Sequence, residues 1–514
     1  MKRMDVVGAW AVLFALLVLG RFALSPATDF SADDWAYLAK SAEPSPATIV
    51  KEGLRDIYRP VNLIANMVAF HFAGDRPAPF ALWGLVAHGI LLALVLLTLK
   101  RLGGDAAMLW FGGIFYVLNP TIYESFHWAC HEVLLYVPIA FAASLYLWIG
   151  WCQKGGGWKY AVALPLYFIG VFSYEYGVPL ALFFPLSAVV LGAKRKEILA
   201  SIPFAALAIF YVLWRFTAAF GWGAPLLAGG EYFGDGSFSP WGALQNVRGV
   251  LSWWLGGGMA QSFLGGFNVF TTLLPKWQFV YAVAALALAA LAFVQMRRAD
   301  AGKGNAPIDP QLRRMILLGL AWATLAYAPH LVFPPSARHN LFPSIGLAMA
   351  VAAAIRLFAW RLPAGAFVLA ALLCLVANAG NTLAFREAGL FSRNLYRHVV
   401  ATRAEWVACE VVLFDTSSLR ARQTRGILRP ASRNSATWAA YQNANLLRGF
   451  TCSAMLKLAD KESKATAILD VETGAEQEGG GLSWHERYDE TKPRKTPMEK
   501  VFRIDCLAAG QAVK

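Results

Sequence analysis

The sequence predicts an all-α polytopic membrane protein of about eleven transmembrane helices, with a small α/β domain at its C-terminal end. Three observations predict it. Of 514 residues, 57% are hydrophobic and 15% charged, with 19 Trp and 34 Phe; a soluble domain would have to bury an implausible amount of apolar surface. The apolar residues gather in runs of roughly 17 to 23, the length that crosses about 30 Å of hydrocarbon. From about Arg386 the chain turns polar, rich in Arg, Ser, Asn, Glu and Gly.

In order, the runs fall at 6–24, 80–99, 106–122, 133–152, 159–174, 177–192, 199–219, 277–296, 314–333, 340–358 and 364–384. Met1-Lys2-Arg3 ahead of the first gives it the look of a secretory leader. Arg21-Phe22-Ala23-Leu24-Ser25-Pro26 is a poor cleavage site, however, and many spans follow, so an uncleaved first helix is expected. With Lys2 and Arg3 inside, every second connection is expected in the cytoplasm. Those connections carry Lys100-Arg101, Lys154 and Lys159, Lys194-Arg195-Lys196, Arg297-Arg298 through Arg313-Arg314, and Arg356 with Arg361. The formal net charge of +14 is therefore read as topology and not as a nucleic-acid footprint.

An odd span number puts the loop 25–79 and the tail on one, non-cytoplasmic side, which in a bacterial inner membrane is the periplasm. Two domains follow: 1–385, transmembrane, with outer loops 25–79 and 220–276, and 386–514, periplasmic and soluble. The segment 220–276, with Gly221-Trp222-Gly223, Trp253-Trp254 and Gly256-Gly257-Gly258, suits a half-immersed loop that shapes a cavity. In the tail, Val411-Val412-Leu413-Phe414 reads as a strand and 439–447 as a helix, while the charged stretch 474–497 is assigned no element. Cys409, Cys452 and Cys506 there allow one disulfide at most. No phosphate loop, dinucleotide fingerprint or Cys-x-x-Cys motif occurs, and no cofactor or metal is expected.

Ionisable residues collect on the outer side. Asp29, Asp33 and Asp34 follow the first span, with Arg59 before Pro60; Glu124, His131 and Glu132 follow the third. Glu175 lies in the tight turn Tyr174-Glu175-Tyr176-Gly177, and Arg338-His339 precede the tenth span. Charge at such depth is costly and defaults to functional or paired roles. The bland readings are solvated or capping carboxylates, Asp33 among them, and a snorkelling Arg338. Cations beside the headgroup region are natural partners of a lipid phosphate.

Asp33-Asp34-Trp35, Tyr58-Arg59-Pro60-Val61, Asn119-Pro120 with Glu124 and Trp128, Tyr174-Glu175, and Arg338 to Ser344 occur in an order that resembles the GT-C superfamily of polyprenyl-phosphate-sugar glycosyltransferases. Over roughly the first 400 residues the pattern looks most like the membrane part of the transmembrane O-mannosyltransferases and their bacterial relatives. Asn119-Pro120 stands where His-Pro is expected, and Tyr174-Glu175 where Lys-Glu is usual.

The resemblance implies an inverting transfer from a lipid-phosphate sugar donor to an acceptor hydroxyl on a glycan, glycolipid or protein, with membrane lipids around the site. It implies Asp33 as the base, Asp34 its nearest rival and Asp29 third, and Arg338 on the donor phosphate with His339 and Arg59 in support. Asp29, Glu124, His131 and Glu175 orient substrate or loop, or, for Glu124 and Glu175, pair with these arginines. Neighbouring branches use a divalent metal, for which Asp33, Asp34 and Glu124 would be the oxygen donors. The competing readings are an O-antigen ligase or polymerase, a lipid-linked sugar flippase and a non-catalytic scaffold.

Overall fold

The computed structural model describes residues 6–25, 29–30, 33–42, 59–222, 240–255, most of 263–271, 278–300, 310–331, 337–357, 364–417, 449–469, 476–478, 481–486 and 489–511. The chain is a helical, membrane-associated protein. Each of the eleven apolar runs is occupied by helix: Val6–Arg21, Ala78–Arg101, Ala106–Leu118, Tyr136–Lys154, Gly157–Ser173, Gly177–Leu180 with Phe183–Val190, Ile202–Trp222, Gln278–Asp300, Pro310–Tyr327, Leu341–Leu357 and Ala364–Ala401. Among the described residues, four helical stretches are long and apolar enough to cross a bilayer: Ala78–Arg101, Ala129–Lys154, Arg195–Trp214 and Ala366–Ala401.

Their outward faces are as apolar as their inward ones. On Ala78–Arg101, Leu91, Val95 and Leu99 are buried while Leu82, Val86 and Ile90 are exposed. A helix in water would put polar groups on that second face; one in lipid has no reason to. Inside, the helices meet through small residues, as helices in hydrocarbon do. A Cβ on Gly319 of Pro310–Tyr327 would come within 2.5 Å of the Gly346 carbonyl on Leu341–Leu357, so the two backbones touch.

The segments expected on the outer side are not bare loops. Asp33–Ser41 and Pro60–Ala73 are helices, the latter 14 residues long, and Pro240–Leu255 is a third. A second apolar core lies here, made by Phe30, Trp35, Phe70, Phe80 and Trp128 together with Phe385, Trp406, Val412, Phe414 and Ile504. Trp35 Nε1 also donates to Ser392 Oγ at 2.7 Å. The first loop and the C-terminal segment therefore pack against each other at one end of the bundle.

The 38-residue helix Ala364–Ala401 runs through residue 385 unbroken, so the turn to polar composition falls within a helix. Beyond it, β1 (Val411–Asp415) has all five residues buried and lies between parallel β2 (Thr466–Leu469) and β6 (Val501–Asp505). A strand covered on both faces accounts for its unbroken apolar run. The stretch 474–497, left without an element by the sequence, holds an antiparallel sheet of β3 (Glu476–Glu478), β4 (Gly481–Glu486) and β5 (Asp489–Pro497). Its charges hid it, because a strand with one wet face needs few apolar residues. The expected helix at 439–447 lies outside the described residues. Of the six cysteines, Cys130, Cys452 and Cys506 are buried.

Candidate functional site

Gly157–Ser173 ends where Tyr174 turns extended, at φ −159° and ψ 132°, and helix resumes at Gly177. The break throws three side chains outward from one point. Tyr174 stacks on Tyr176, ring centroids 5.0 Å apart, and Tyr176 stacks on Phe342 at 5.2 Å. Glu175 takes the guanidinium of Arg59 in a two-pronged pair, Nε to Oε2 at 2.7 Å and Nη2 to Oε1. That guanidinium lies 4.3 Å over the Tyr174 ring. Arg59 immediately precedes Pro60–Ala73, so the pair clamps the start of that outer helix to the turn.

Opposite stand the imidazoles. Tyr176 Oη and His330 Nε2 are 2.7 Å apart, and the His330 ring lies 4.8 Å from that of His339. Between these groups and the Ala129–Val133 helix is a narrow cleft of about 30 Å³, walled by Ser125, His131, Tyr174, His339 and Phe342. His131 and His339 thus share a cavity, and Tyr174 joins it to the Arg59–Glu175 pair.

Backbone anchors hold the cleft's rim. Asn119 caps the 3₁₀ turn Pro120–Phe126 by accepting from Thr121 N at 3.0 Å and donates Nδ2 to Ser344 Oγ at 2.9 Å. Asn340 donates Nδ2 to the Thr121 carbonyl at 3.3 Å and accepts from Tyr327 Oη at 2.6 Å. The Asn119-Pro120 motif and the stretch 339–344 are thereby tied together.

The other sequence candidates divide. Asp34 is fully buried, its Oδ1 accepting from the Cys130 amide at 2.8 Å, one residue from His131. Asp29 pairs with Arg393 Nε at 2.5 Å on the long helix Ala364–Ala401, where its carbonyl sits in the notch left by Gly389. The side chains of Asp33, Glu124 and Arg338 lie outside the described residues, though their backbones do not. Asp33 opens the helix that Asp34 pins, Glu124 precedes the cleft residue Ser125, and Arg338 precedes the cleft residue His339. Among the described residues no three His, Cys, Asp or Glu side chains gather as metal donors.

Sequence reasoning missed a buried polar network beneath the rim. Arg21, 1% exposed, donates Nη2 to the Asn119 carbonyl at 2.5 Å and lies 4.4 Å from the Phe126 ring. Among the described residues its Nε and Nη1 have no hydrogen-bond partner. His88 stacks on the same ring at 3.5 Å and meets Tyr116 Oη at 2.9 Å. Thr382 Oγ1 has one proton, with the carbonyls of Arg21 and Asn378 3.0 and 3.1 Å away; given to either, it leaves His127 Nε2, at 2.9 Å, as the donor to that hydroxyl. Burial, then the charges of Arg21 and His88, hold the His127 imidazole well below its usual range, and it is neutral. The available signal was an arginine in the last turn of an apolar run, where a charge needs a reason.

The chain matches no protein-family model, and no curated protein is significantly similar to it.

Proposed function

We propose that the chain is an inverting glycosyltransferase of the GT-C type. In this reading it moves a sugar from a polyprenyl-phosphate donor to an acceptor hydroxyl of a cell-envelope glycan, glycolipid or protein. The reading takes eleven spans with the N-terminus in the cytoplasm of a bacterial cell and the cleft in the periplasm. One observation supports it: His131 and His339, named from separate motifs, line one cleft whose wall residue Tyr174 carries the Arg59–Glu175 pair, and Asp34, Glu124 and Arg338 are tied or adjacent in the chain to residues there.

The acceptor hydroxyl gives its proton to Asp33 as its oxygen attacks the anomeric carbon. The bond from that carbon to the phosphate oxygen breaks with inversion, and polyprenyl phosphate leaves. A carboxylate suffices as base because the transition state is oxocarbenium-like and the proton leaves late. Arg338 and His339 meet the charge that grows on the leaving phosphate. Arg59, already paired with Glu175, serves best by fixing the outer helix over Tyr174. Asp34, held by the Cys130 amide, serves best by fixing the Asp33 helix beside His131.

Replacing Asp33 with Asn should lower turnover about 10²- to 10⁴-fold, the usual worth of general-base catalysis, without loss of fold. Wild-type turnover in that variant would remove the assignment. The facing of His131 and His339 favours a second reading, an O-antigen ligase or polymerase that relies on outer-face Arg and His. Full activity of Asp33→Asn with loss on His339→Ala would choose it.

A further inference from the structure

The opposite end of the bundle holds a second, larger cavity, of about 350 Å³. Four helix ends wall it. Leu102 caps Ala78–Arg101, Gln153 lies in the last turn of Tyr136–Lys154, Leu191 caps Phe183–Val190, and Gln311 and Arg314 come from the start of Pro310–Tyr327. Gln153 Nε2 donates to the Arg101 carbonyl at 3.3 Å, and Gln311 Nε2 donates to the Leu102 carbonyl. Those bonds cover the carbonyl end of Ala78–Arg101, so the charge lining the cavity is the guanidinium of Arg314.

The surroundings reinforce that sign. Lys100, Lys154, Lys194, Arg195 and Arg313 belong to the same end. Of the acids there whose side chains are described, Asp105 is 3.0 Å from Arg356, and Glu197 is 3.7 Å from Lys196. An anion entering here meets positive charge with little carboxylate to oppose it.

Depth selects which anion. The cavity lies at the ends of apolar helices whose outward faces are apolar, which is headgroup level for a bilayer around them. Leu102 and Leu191 on one wall and a guanidinium on another suit a phosphate that carries an apolar tail. A free phosphate would leave the leucine wall without a partner.

We propose that this cavity seats the headgroup of an anionic phospholipid, with Arg314 on the phosphate and Leu102 and Leu191 against the glycerol and first methylenes. The test is native mass spectrometry of the full chain released from detergent after incubation with phosphatidylglycerol or phosphatidylcholine. The wild type should retain one phosphatidylglycerol in preference to phosphatidylcholine. Arg314→Glu and Arg314→Gln, changes at an exposed position, should weaken retention roughly tenfold, the worth of one charge-assisted contact. Lys457→Glu, a charge change at an exposed position of Gly449–Ala459 at the other end of the bundle, should leave retention unchanged.

Equal retention by wild type and Arg314→Glu would overturn the proposal, as would an equal loss in Lys457→Glu. Inorganic phosphate is the second arm. If it raised the melting temperature in the absence of lipid as much as phosphatidylglycerol does, the site would be one for soluble phosphate and the lipid assignment would fall.

Discussion

Arg59 and Glu175 show how far a residue's role depends on what it touches. From sequence, Arg59 supports the phosphate site and Glu175 orients the first loop, binds sugar hydroxyls or pairs with an arginine; in the fold the two hold each other, both side chains largely buried, at 16% and 13% exposure. A fork-to-carboxylate pair so shielded couples more strongly than a surface pair. A double-mutant cycle with Arg59→Met and Glu175→Gln, read by thermal or denaturant unfolding in detergent, should give a coupling of about 1–2 kcal/mol. A coupling near zero would mean the pair does not organise the turn. Asp34 teaches the same lesson: the sequence marks it as a second base, and the fold commits one of its oxygens to the Cys130 amide. Arg21 is the converse, a cation that looks like the tail of a span and proves to be the hub under the rim, holding the Asn119 carbonyl and one face of Phe126.

At the scale of elements, the apolar runs were legible because hydrocarbon demands the same thing of every span, a long stretch without charge. Pro60–Ala73 was not, since 14 residues rise only about 21 Å and give no spanning signal. Its exposed Ile64, Val68 and Phe72 recur at helical spacing on one face, a pattern that was present to be read. The strand at Val411–Phe414 was visible as a short β-branched run, while the antiparallel sheet of 476–497 was masked by charge.

The 3₁₀ junction that ends at His127 carries a pH prediction. His127 stays neutral when folded, whereas an unfolded histidine takes a proton near pH 6.5. Below that pH the unfolded chain binds more protons, so this residue's contribution to stability falls as pH falls, by about 1 kcal/mol per unit, and is flat above it. The melting temperature should therefore drop from pH 7 to pH 5.5, and the drop should shrink in His127→Asn. An equal drop in both proteins would show that the imidazole is not the titrating group.

The whole molecule has two chemically different ends. One gathers lysines and arginines around a cavity of mixed polar and apolar lining; the other gathers the cleft, the first loop and the C-terminal α/β segment through a shared apolar core. The basic end was readable from charge placement alone. The meeting of His131 with His339 was not, because 208 positions separate them and pairing across a bundle leaves no local trace. The central claim is that the cleft end breaks the bond between a sugar and a lipid phosphate. The purified chain in vesicles, given a polyprenyl-phosphate-linked sugar and an envelope glycan acceptor, tests it most directly. The account predicts release of polyprenyl phosphate with the sugar transferred, slowed in Arg338→Ala and His339→Ala; a donor left intact, or carried across the bilayer unchanged, would contradict it.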